Sequence, residues 1–231
     1  MISRGAKLRV KGSVHPYVSR GGLKLEKALR TFSLDIQDVV MLDIGASTGG
    51  FTDCALQHGA AYVYAIDVGY NQLDWSLRQD ERVCVMERTN FRYIQPEDLP
   101  GAMPDFAVID VSFISLKLIL PPLKALLKRP ARIVALIKPQ FEAGREKVGK
   151  NGIVRDPSVH REVLESVLTM GDELGYELRG LTFSPITGGE GNIEFLAYWA
   201  LPTEESFIKN DHRVWIEEVL DQAYRTFALH S

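Results

Sequence analysis

Two apolar stretches of the chain each lead into an ionisable side chain, and these side chains are the first candidates for chemistry. Asp110 follows four apolar residues that begin at Phe106, and Lys138 follows the apolar run Ile133–Ile137. A charge in such a position is costly unless it is paired or has a function. If the two stretches are neighbouring parallel strands, Asp110 and Lys138 lie side by side at one edge of a sheet and can form an ion pair. Glu194, at the start of a later apolar run, could join them.

Lys24, in a helix-period segment ahead of the first strand, is a second lysine that could belong to this group. Lysines beside carboxylates can remove a proton from a weakly acidic hydroxyl, which methyl transfer to an alcohol requires. A lysine acts as a base only when its pKa is depressed, by burial or by a nearby cation such as a second lysine. The carboxylates would then orient the two amines. Spacing alone also allows a structural alternative, a buried salt-bridge network that fixes the edge of the sheet.

A glycine-rich turn, residues 45–50, directly follows the apolar stretch Val39–Ile44. Its glycines let the backbone approach a ligand closely, and its spacing differs from the GxGxxG of dinucleotide-binding folds. Asp43 precedes the turn, and Asp67 ends the next apolar stretch about 20 residues later, where doubly wound folds place a ribose-binding acid. These residues predict a nucleoside ligand with a positively charged tail, which S-adenosylmethionine matches; a tight strand–helix joint is the alternative. The residues predicted to bind this cofactor are Asp43, Gly45, Ser47, Thr48, Gly49, Gly50, Phe51, Asp67 and Asp110.

Apolar runs rich in β-branched residues alternate with helix-period segments, which predicts an α/β fold. We expect a doubly wound, seven-stranded Rossmann-like sheet of the methyltransferase type, mostly parallel with one antiparallel strand. The antiparallel strand is expected because residues 184–192 join the last two apolar runs without a helical pattern between them. The predicted strands are Val39–Ile44, Tyr62–Asp67, Val83–Met86, Phe106–Val111, Ile133–Ile137, Glu177–Phe183 and Glu194–Trp199. The predicted helices are Gly22–Thr31, Gly50–His58, Leu116–Leu127, Ser158–Leu174 and Val214–Leu229.

Composition is typical of a globular protein with a full core. Of the 231 residues, 45% are hydrophobic and 25% are charged, and no apolar run approaches the roughly 18 residues of a membrane-spanning helix. The N-terminus lacks the apolar segment of a signal peptide. Cys54 and Cys84 show no metal-ligand spacing, so we expect reduced core cysteines in a cytoplasmic protein and no metal site.

Charge is unevenly distributed along the chain, which indicates a polyanionic partner although the net charge is only −3. Residues 1–30 hold eight basic side chains and one acid, Glu26, and a second stretch of mixed charge, residues 144–155, follows Lys138. Both could contact RNA phosphates, which position a substrate without reading its sequence. Ordinary solvated segments are the alternative. The candidate RNA contacts are Arg4, Lys7, Arg9, Lys11, Arg20, Arg145, Lys147 and Lys150.

Five segments occur in the order typical of one known family. They are Tyr17–Leu25, Leu42–Asp53, Asp110–Ser115, Lys138–Glu142 and Gly191–Glu194. They resemble the TlyA family, a branch of the FtsJ-like ribose methyltransferases whose members are often called haemolysins. The resemblance implies S-adenosylmethionine-dependent 2′-O-methylation of cytidines in ribosomal RNA, with ribosomal RNA or ribosomal subunits as the partner.

The same resemblance implies a catalytic tetrad in which Lys138 is the base. Lys27 is a rival for one member, but the match to Ser-Arg-Gly-Gly-x-Lys-Leu favours Lys24. The implied tetrad consists of Lys24, Asp110, Lys138 and Glu194.

Members of that family usually begin with a small RNA-binding domain, so we expect residues 1–16 to be its tail and residues 17–231 to form the methyltransferase domain. Two rival functions are a membrane-active haemolysin and a cofactor-binding RNA-binding protein without catalysis. The first needs a membrane-inserting or cationic amphipathic helix, whereas the helical segment that begins at Val214 is acidic in its first half. A complete tetrad argues against the second. The sequence does not indicate an oligomeric state.

Overall fold

A computed structural model of the chain describes residues 15–204 and 211–227. The strands are β1 Val40–Ile44, β2 Tyr62–Ile66, β3 Val83–Met86, β4 Phe106–Ile109, β5 Ala131–Ile137, β6 Glu177–Phe183 and β7 Phe195–Leu201. The helices are α1 Gly22–Thr31, α2 Gly50–Gln57, α3 Trp75–Arg78, α4 Leu120–Leu123, α5 Pro139–Glu142, α6 Pro157–Glu173 and α7 Arg213–Phe227. The predicted RNA contacts Arg4, Lys7, Arg9 and Lys11, and all of the predicted tail except residues 15 and 16, lie outside the described ranges.

The seven strands form one sheet in the order β3-β2-β1-β4-β5-β7-β6. Strand β7 runs antiparallel to both of its neighbours, β5 and β6, and the remaining pairs are parallel. The prediction of a mostly parallel sheet with one antiparallel strand is confirmed. Because β7 is reversed, its first residue lies at the same edge of the sheet as the carboxyl ends of β1, β4 and β5.

Both faces of the sheet are buried, because successive side chains alternate between two hydrophobic layers. In β1, Met41 belongs to the layer that contains α1 and α2, whereas Leu42 and Ile44 belong to the layer that contains α6 and α7. Burial on both faces is typical of parallel sheets in doubly wound folds. It leaves the carboxyl edge of the strands as the place where polar side chains can meet a ligand.

Three carboxylates that were predicted to lie within strands are found just beyond them. Asp67 follows β2, Asp110 follows β4 and Glu194 precedes β7. The backbone N–H groups of Asp67 and Asp110 still donate to carbonyls of the neighbouring strands, at 3.1 and 2.9 Å. Their side chains therefore lie at the outermost position of the sheet rather than on one of its buried faces.

One predicted helix, Leu116–Leu127, is wrong. The structure has the four-residue helix α4 between two 3-10 turns, Leu116–Leu118 and Lys124–Leu126. Pro121 and Pro122 explain the interruption, because a proline has no N–H for the helical ladder and its ring clashes with the preceding turn.

Helices α1 and α2 approach each other closely at two glycines. A Cβ placed on Gly50, the first residue of α2, would lie 2.8 Å from the backbone nitrogen of Gly22, the first residue of α1. A larger residue at position 50 would push the two helices apart. The contact fixes the start of α1 beside the glycine-rich turn, and it therefore fixes Lys24, two residues further along α1.

One carboxylate, Glu87, holds the loop between β2 and α3. It accepts hydrogen bonds from the backbone N–H groups of Asn71 and Gln72, at 2.8 and 3.1 Å, and it pairs with Arg78. Burial raises the pKa of Glu87, but these hydrogen bonds outweigh burial and lower the pKa to about 2. The ionised carboxylate therefore stabilises this loop.

We expect the stability contributed by Glu87 to depend on pH. A carboxylate with a depressed pKa stabilises the fold above its ordinary value of 4.5, and this contribution is lost as the pH falls towards 2. Glu87→Gln should lower the midpoint of thermal unfolding at pH 7, and its difference from wild type should shrink between pH 4.5 and pH 2. Circular dichroism measures both, with the exposed Glu97→Gln as the matched control. A difference that stays the same down to pH 2 would contradict the role of this carboxylate.

Candidate active site

Four side chains from four separate elements form one connected ion-pair network at the carboxyl edge of the sheet. Lys138 Nζ, directly after β5, lies 2.5 Å from Asp110 Oδ1, directly after β4. Lys24 Nζ, on α1, lies 3.5 Å from the other oxygen of Asp110 and 2.7 Å from Glu194 Oε2. The structure thus brings together the four residues of the predicted tetrad. Lys27, the rival on α1, lies elsewhere, with its Nζ 4.8 Å from the centre of the Phe183 ring.

The network is buried, so its charges depend on one another. Lys24, Lys138 and Glu194 are at most 8% exposed. Burial raises the pKa of Asp110, but the ammonium groups of Lys24 and Lys138 outweigh it and hold that pKa below its usual value. Burial lowers the pKa of Lys24, but attraction to Asp110 and Glu194 outweighs it and raises that pKa. Lys24 therefore keeps its proton at neutral pH.

Two neutral side chains that the sequence did not single out support the network. Gln140, on α5, donates from its Nε2 to Glu194 Oε1 at 3.1 Å, so both oxygens of Glu194 are held. Ser112 Oγ accepts a hydrogen bond from Lys138 Nζ at 3.2 Å. Both lie within segments that are already notable for charged neighbours, Asp110–Ser115 and Lys138–Glu142. Their spacing from the charges was the signal that could have identified them.

A cavity of about 470 Å³ opens beside the four charged groups. Its walls come from the start of α1, the glycine-rich turn, and two loops, residues 144–155 and 188–192. The exposed ring of Phe113 also lines it and packs on Phe141, with 5.0 Å between ring centres. This volume is sufficient for part of a nucleotide, which would lie beside Lys24 and Lys138.

A second cavity, of about 290 Å³, lies over the carboxyl ends of β1 and β2. Asp67 lines it, together with the segment Thr89–Phe91 that follows β3. It shares Gly45, Ser47 and Asp110 with the larger cavity, so the two form one continuous cleft along the edge of the sheet. The sequence prediction missed the segment Thr89–Phe91. Extending the argument about carboxyl ends to the third strand would have found it.

The glycine-rich turn is built as a close approach of two backbones. A Cβ on Gly45, which has a φ of +88°, would lie 2.5 Å from the carbonyl oxygen of Asp110. Asp43, beneath the turn, is fully buried and accepts a hydrogen bond from Thr52 Oγ1 at 2.6 Å. Asp67 accepts hydrogen bonds from the backbone N–H groups of Ser47 at 2.8 Å and Gly69 at 2.7 Å. A ligand in the cleft would therefore meet bare backbone beside the Asp67 carboxylate, with the Asp43 carboxylate buried beneath the turn.

The remaining residues of the predicted cofactor site divide into two groups. Gly50 and Phe51 line the larger cavity. Thr48 and Gly49 line neither cavity. The carbonyl of Thr48 accepts a hydrogen bond from the backbone N–H of Asp74. A Cβ on Gly49 would lie 2.3 Å from the side chain of Leu77. These two residues pack the turn against α3, and their contact with a cofactor stays a prediction.

Of the predicted RNA contacts that the structure describes, Arg20 lines the larger cavity. Arg145 and Lys150 are exposed on the loop 144–155. Lys147 on the same loop is paired with Glu162 of α6, at 2.5 Å. The loop therefore presents positive charge beside the cleft, but it does not offer all three basic side chains equally.

Within residues 15–204 and 211–227, no helix is long and apolar enough to cross a membrane. Over the same ranges, no three histidine, cysteine or acidic side chains converge on a point that could hold a metal ion.

Residues 17–200 match the FtsJ-like methyltransferase family. The chain belongs to that family. It is 45% identical over 197 residues to the 16S/23S rRNA (cytidine-2′-O)-methyltransferase TlyA of Mycobacterium tuberculosis, a match that covers 85% of this chain and 73% of TlyA. It is 46% identical over 185 residues to Hemolysin A of Brachyspira hyodysenteriae, which covers 80% of this chain and 77% of that protein. A solved structure from Streptococcus thermophilus matches with a TM-score of 0.89 at 56% identity, covering 94% of this chain and 78% of that one.

As an FtsJ-like methyltransferase, the protein uses S-adenosylmethionine, and the residues of the turn fit this cofactor. Among the described residues, the buried Asp43 Oδ1 has no hydrogen-bond partner. An unsatisfied buried carboxylate oxygen is costly, so a positively charged or amino-bearing ligand at the turn would stabilise it. Each oxygen of Asp67 accepts one backbone N–H, from Ser47 or Gly69, and keeps a second acceptor site that can bind a ribose hydroxyl. The predicted family resemblance, fold and cofactor are confirmed.

Cofactor binding should depend on pH through Asp43. Burial raises the pKa of Asp43 to about 7, so the carboxyl is increasingly neutral below that pH. A cationic ligand binds the ionised form, and the affinity for S-adenosylmethionine should therefore fall about tenfold between pH 8 and pH 6. Titration calorimetry measures this for wild type, for Asp43→Asn, and for the matched control Asp53→Asn on α2. Asp43→Asn should bind S-adenosylmethionine weakly and with little dependence on pH, whereas the control should behave like wild type. If the affinity of Asp43→Asn depends on pH as strongly as that of wild type, Asp43 is not the group responsible.

Proposed function

We propose that this methyltransferase transfers the methyl group of S-adenosylmethionine to a ribose 2′-hydroxyl of ribosomal RNA, with Lys138 as the base. The observation that carries the proposal is the network around Asp110, which holds two buried lysines in different electrostatic settings beside the cleft. The similarity to TlyA of Mycobacterium tuberculosis, named for cytidine 2′-O-methylation of ribosomal RNA, supports the choice of substrate.

The two lysines have different partners, and this difference suggests their roles. Lys24 contacts two carboxylates, Asp110 and Glu194, and attraction to them keeps it protonated. It therefore suits the stabilisation of negative charge on a hydroxyl oxygen rather than the removal of a proton. Lys138 contacts one oxygen of Asp110 and the neutral Ser112, and like Lys24 it lines the larger cavity. Of the two lysines, Lys138 is the better candidate to accept the proton of a substrate hydroxyl.

A ribose hydroxyl is a poor nucleophile because its pKa is high, so its proton must leave as the new bond forms. In the uncharged form, Lys138 Nζ can take that proton while Asp110 keeps the amine in place. When bound, the cofactor supplies a methyl group on a positively charged sulfur. General-base catalysis of this kind contributes about 100- to 10,000-fold in rate.

Lys138→Ala should lower kcat for methyl transfer to ribosomal subunits by about 100-fold or more. The dissociation constant of S-adenosylmethionine should stay within about twofold of wild type. Transfer of a labelled methyl group and calorimetry measure the two quantities. Lys27→Ala, a change of lysine outside the network, is the matched control and should transfer methyl groups normally. Wild-type kcat in Lys138→Ala would remove this residue as the base.

We also propose that the loop 144–155 holds the RNA backbone at the mouth of the cleft. Its exposed basic residues include Arg145 and Lys150, and its residues Asn151 and Gly152 line the larger cavity. A basic loop next to a catalytic cleft suits contact with phosphates, which orient RNA without reading its bases. Lys147 is less available because it is paired with Glu162.

Removing loop charge should weaken RNA binding in a salt-dependent way. Each lost phosphate contact lowers the slope of log affinity against log salt concentration by about one. The double variant Arg145→Ala/Lys150→Ala should therefore bind ribosomal RNA more weakly and with a slope smaller by about two. Lys128→Ala, a basic residue just before β5 at the opposite edge of the sheet, is the matched control. If the double variant keeps the wild-type slope, the loop does not contact phosphates.

A further inference from the structure

We propose that Asn192 is a positioning residue that clamps the basic loop 144–155 to the segment that carries Glu194. The two loops that form the outer wall of the larger cavity would then move as one unit. The inference rests on the proposed function, because it assigns RNA binding to the first loop and catalysis to the neighbourhood of the second.

The side chain of Asn192 is 3% exposed and bonds to both loops. Its Oδ1 accepts from the backbone N–H of Val154 at 3.0 Å, and its Nδ2 donates to the carbonyl of Gly152 at 2.9 Å. The same Nδ2 donates to the carbonyl of Gly189 at 3.2 Å. A primary amide carries one acceptor oxygen and an NH₂ group with two donor hydrogens. From a single position it can therefore accept a hydrogen bond from one segment and donate two hydrogen bonds. These partners fix which way round the amide lies, since only its NH₂ can serve two carbonyls.

The clamped segments hold a backbone conformation that side chains rarely adopt. Asn151 and Gly152 have φ of 62° and 74°, and Glu190 and Gly191 have φ of 58° and 93°. Left-handed conformations at residues other than glycine are costly and persist only when surrounding contacts hold them. In both loops the left-handed residue that is not glycine, Asn151 or Glu190, is adjacent to a glycine whose carbonyl accepts from Asn192. The amide therefore stabilises the strained shape of the two loops together.

The clamp is connected to the ion-pair network through a short stretch of chain. The backbone N–H of Gly188 donates to the carbonyl of Asn192 at 2.8 Å, closing the second loop. A Cβ on Gly188 would lie 2.2 Å from Glu194 Oε1, so this loop lies directly on that carboxylate. Glu194 in turn holds Lys24 at 2.7 Å. A shift of the clamped loops would therefore displace Glu194 and, through it, Lys24.

The test compares two variants that separate hydrogen bonding from packing. Asn192→Ala removes the amide. Asn192→Asp keeps the size of the side chain and its acceptor for Val154, but it turns oxygens towards the carbonyls of Gly152 and Gly189. A residue that merely fills space would tolerate aspartate, whereas a clamp fails in both variants.

Limited trypsin digestion reads the loop directly, because residues 145–155 contain four tryptic sites. We expect cleavage there to be about tenfold faster in both variants. The apparent KM for ribosomal subunits should rise about fivefold or more, while the dissociation constant of S-adenosylmethionine stays within about twofold. Ser184→Ala is the matched control: it removes the buried hydroxyl that donates to the carbonyl of Ile186, near the start of the same β6–β7 connection. The Ser184→Ala variant should be cleaved in the loop 144–155 at the wild-type rate.

A double-mutant cycle with Lys150→Ala tests the link to substrate. Lys150→Ala should raise KM in the wild-type background and have a smaller effect in Asn192→Ala, because the unclamped loop no longer presents the charge. Wild-type cleavage rates in both Asn192 variants would overturn the clamp. Faster cleavage with unchanged KM would overturn its role in positioning substrate. If wild type transfers no methyl group to RNA but both Asn192 variants are cleaved faster, the clamp is supported and the proposed function is contradicted.

Discussion

The carboxylate of Asp110 lies between the ammonium groups of Lys138 and Lys24, at 2.5 and 3.5 Å, and the rest of the site depends on this bridge. Two buried ammonium groups so close to one point would repel each other and lose most of their hydration. The bridging carboxylate offsets both costs, and Glu194 adds a second anion on the side of Lys24. The charges balance only when all four elements that carry them are in place.

This requirement explains features of the fold that would otherwise be unrelated. Strands β4 and β5 must be parallel neighbours for Asp110 and Lys138 to meet, and β7 must be reversed for its first residue to lie at the same edge. Helix α1 must approach α2 closely enough to bring Lys24 over that edge, which the contact of Gly50 with Gly22 allows. The same edge leaves bare backbone at the glycine-rich turn, so the turn and the network line one cleft.

The sequence predicted the sheet and the positions of its charged residues because both follow from local patterns. Apolar runs that end in a charge located the carboxyl edge, and a strand pair without an intervening helix located β7. The helix Leu116–Leu127 was wrong because two prolines outweighed its apolar periodicity. Asn192 was not predicted as a site residue because a neutral amide acquires meaning only from its hydrogen-bond partners, and two of these, Val154 and Gly152, are distant in sequence. No periodicity reveals that Asn192 reaches Val154, 38 residues away.

We propose that the cleft directs methyl transfer to a ribose hydroxyl of ribosomal RNA. The most direct measurement incubates the protein with ribosomal subunits and S-adenosylmethionine carrying a labelled methyl group, and then identifies the labelled nucleosides by mass spectrometry. We expect the label on 2′-O-methylated nucleosides. Label on a nucleobase or on ribosomal protein, with none on ribose, would contradict this proposal.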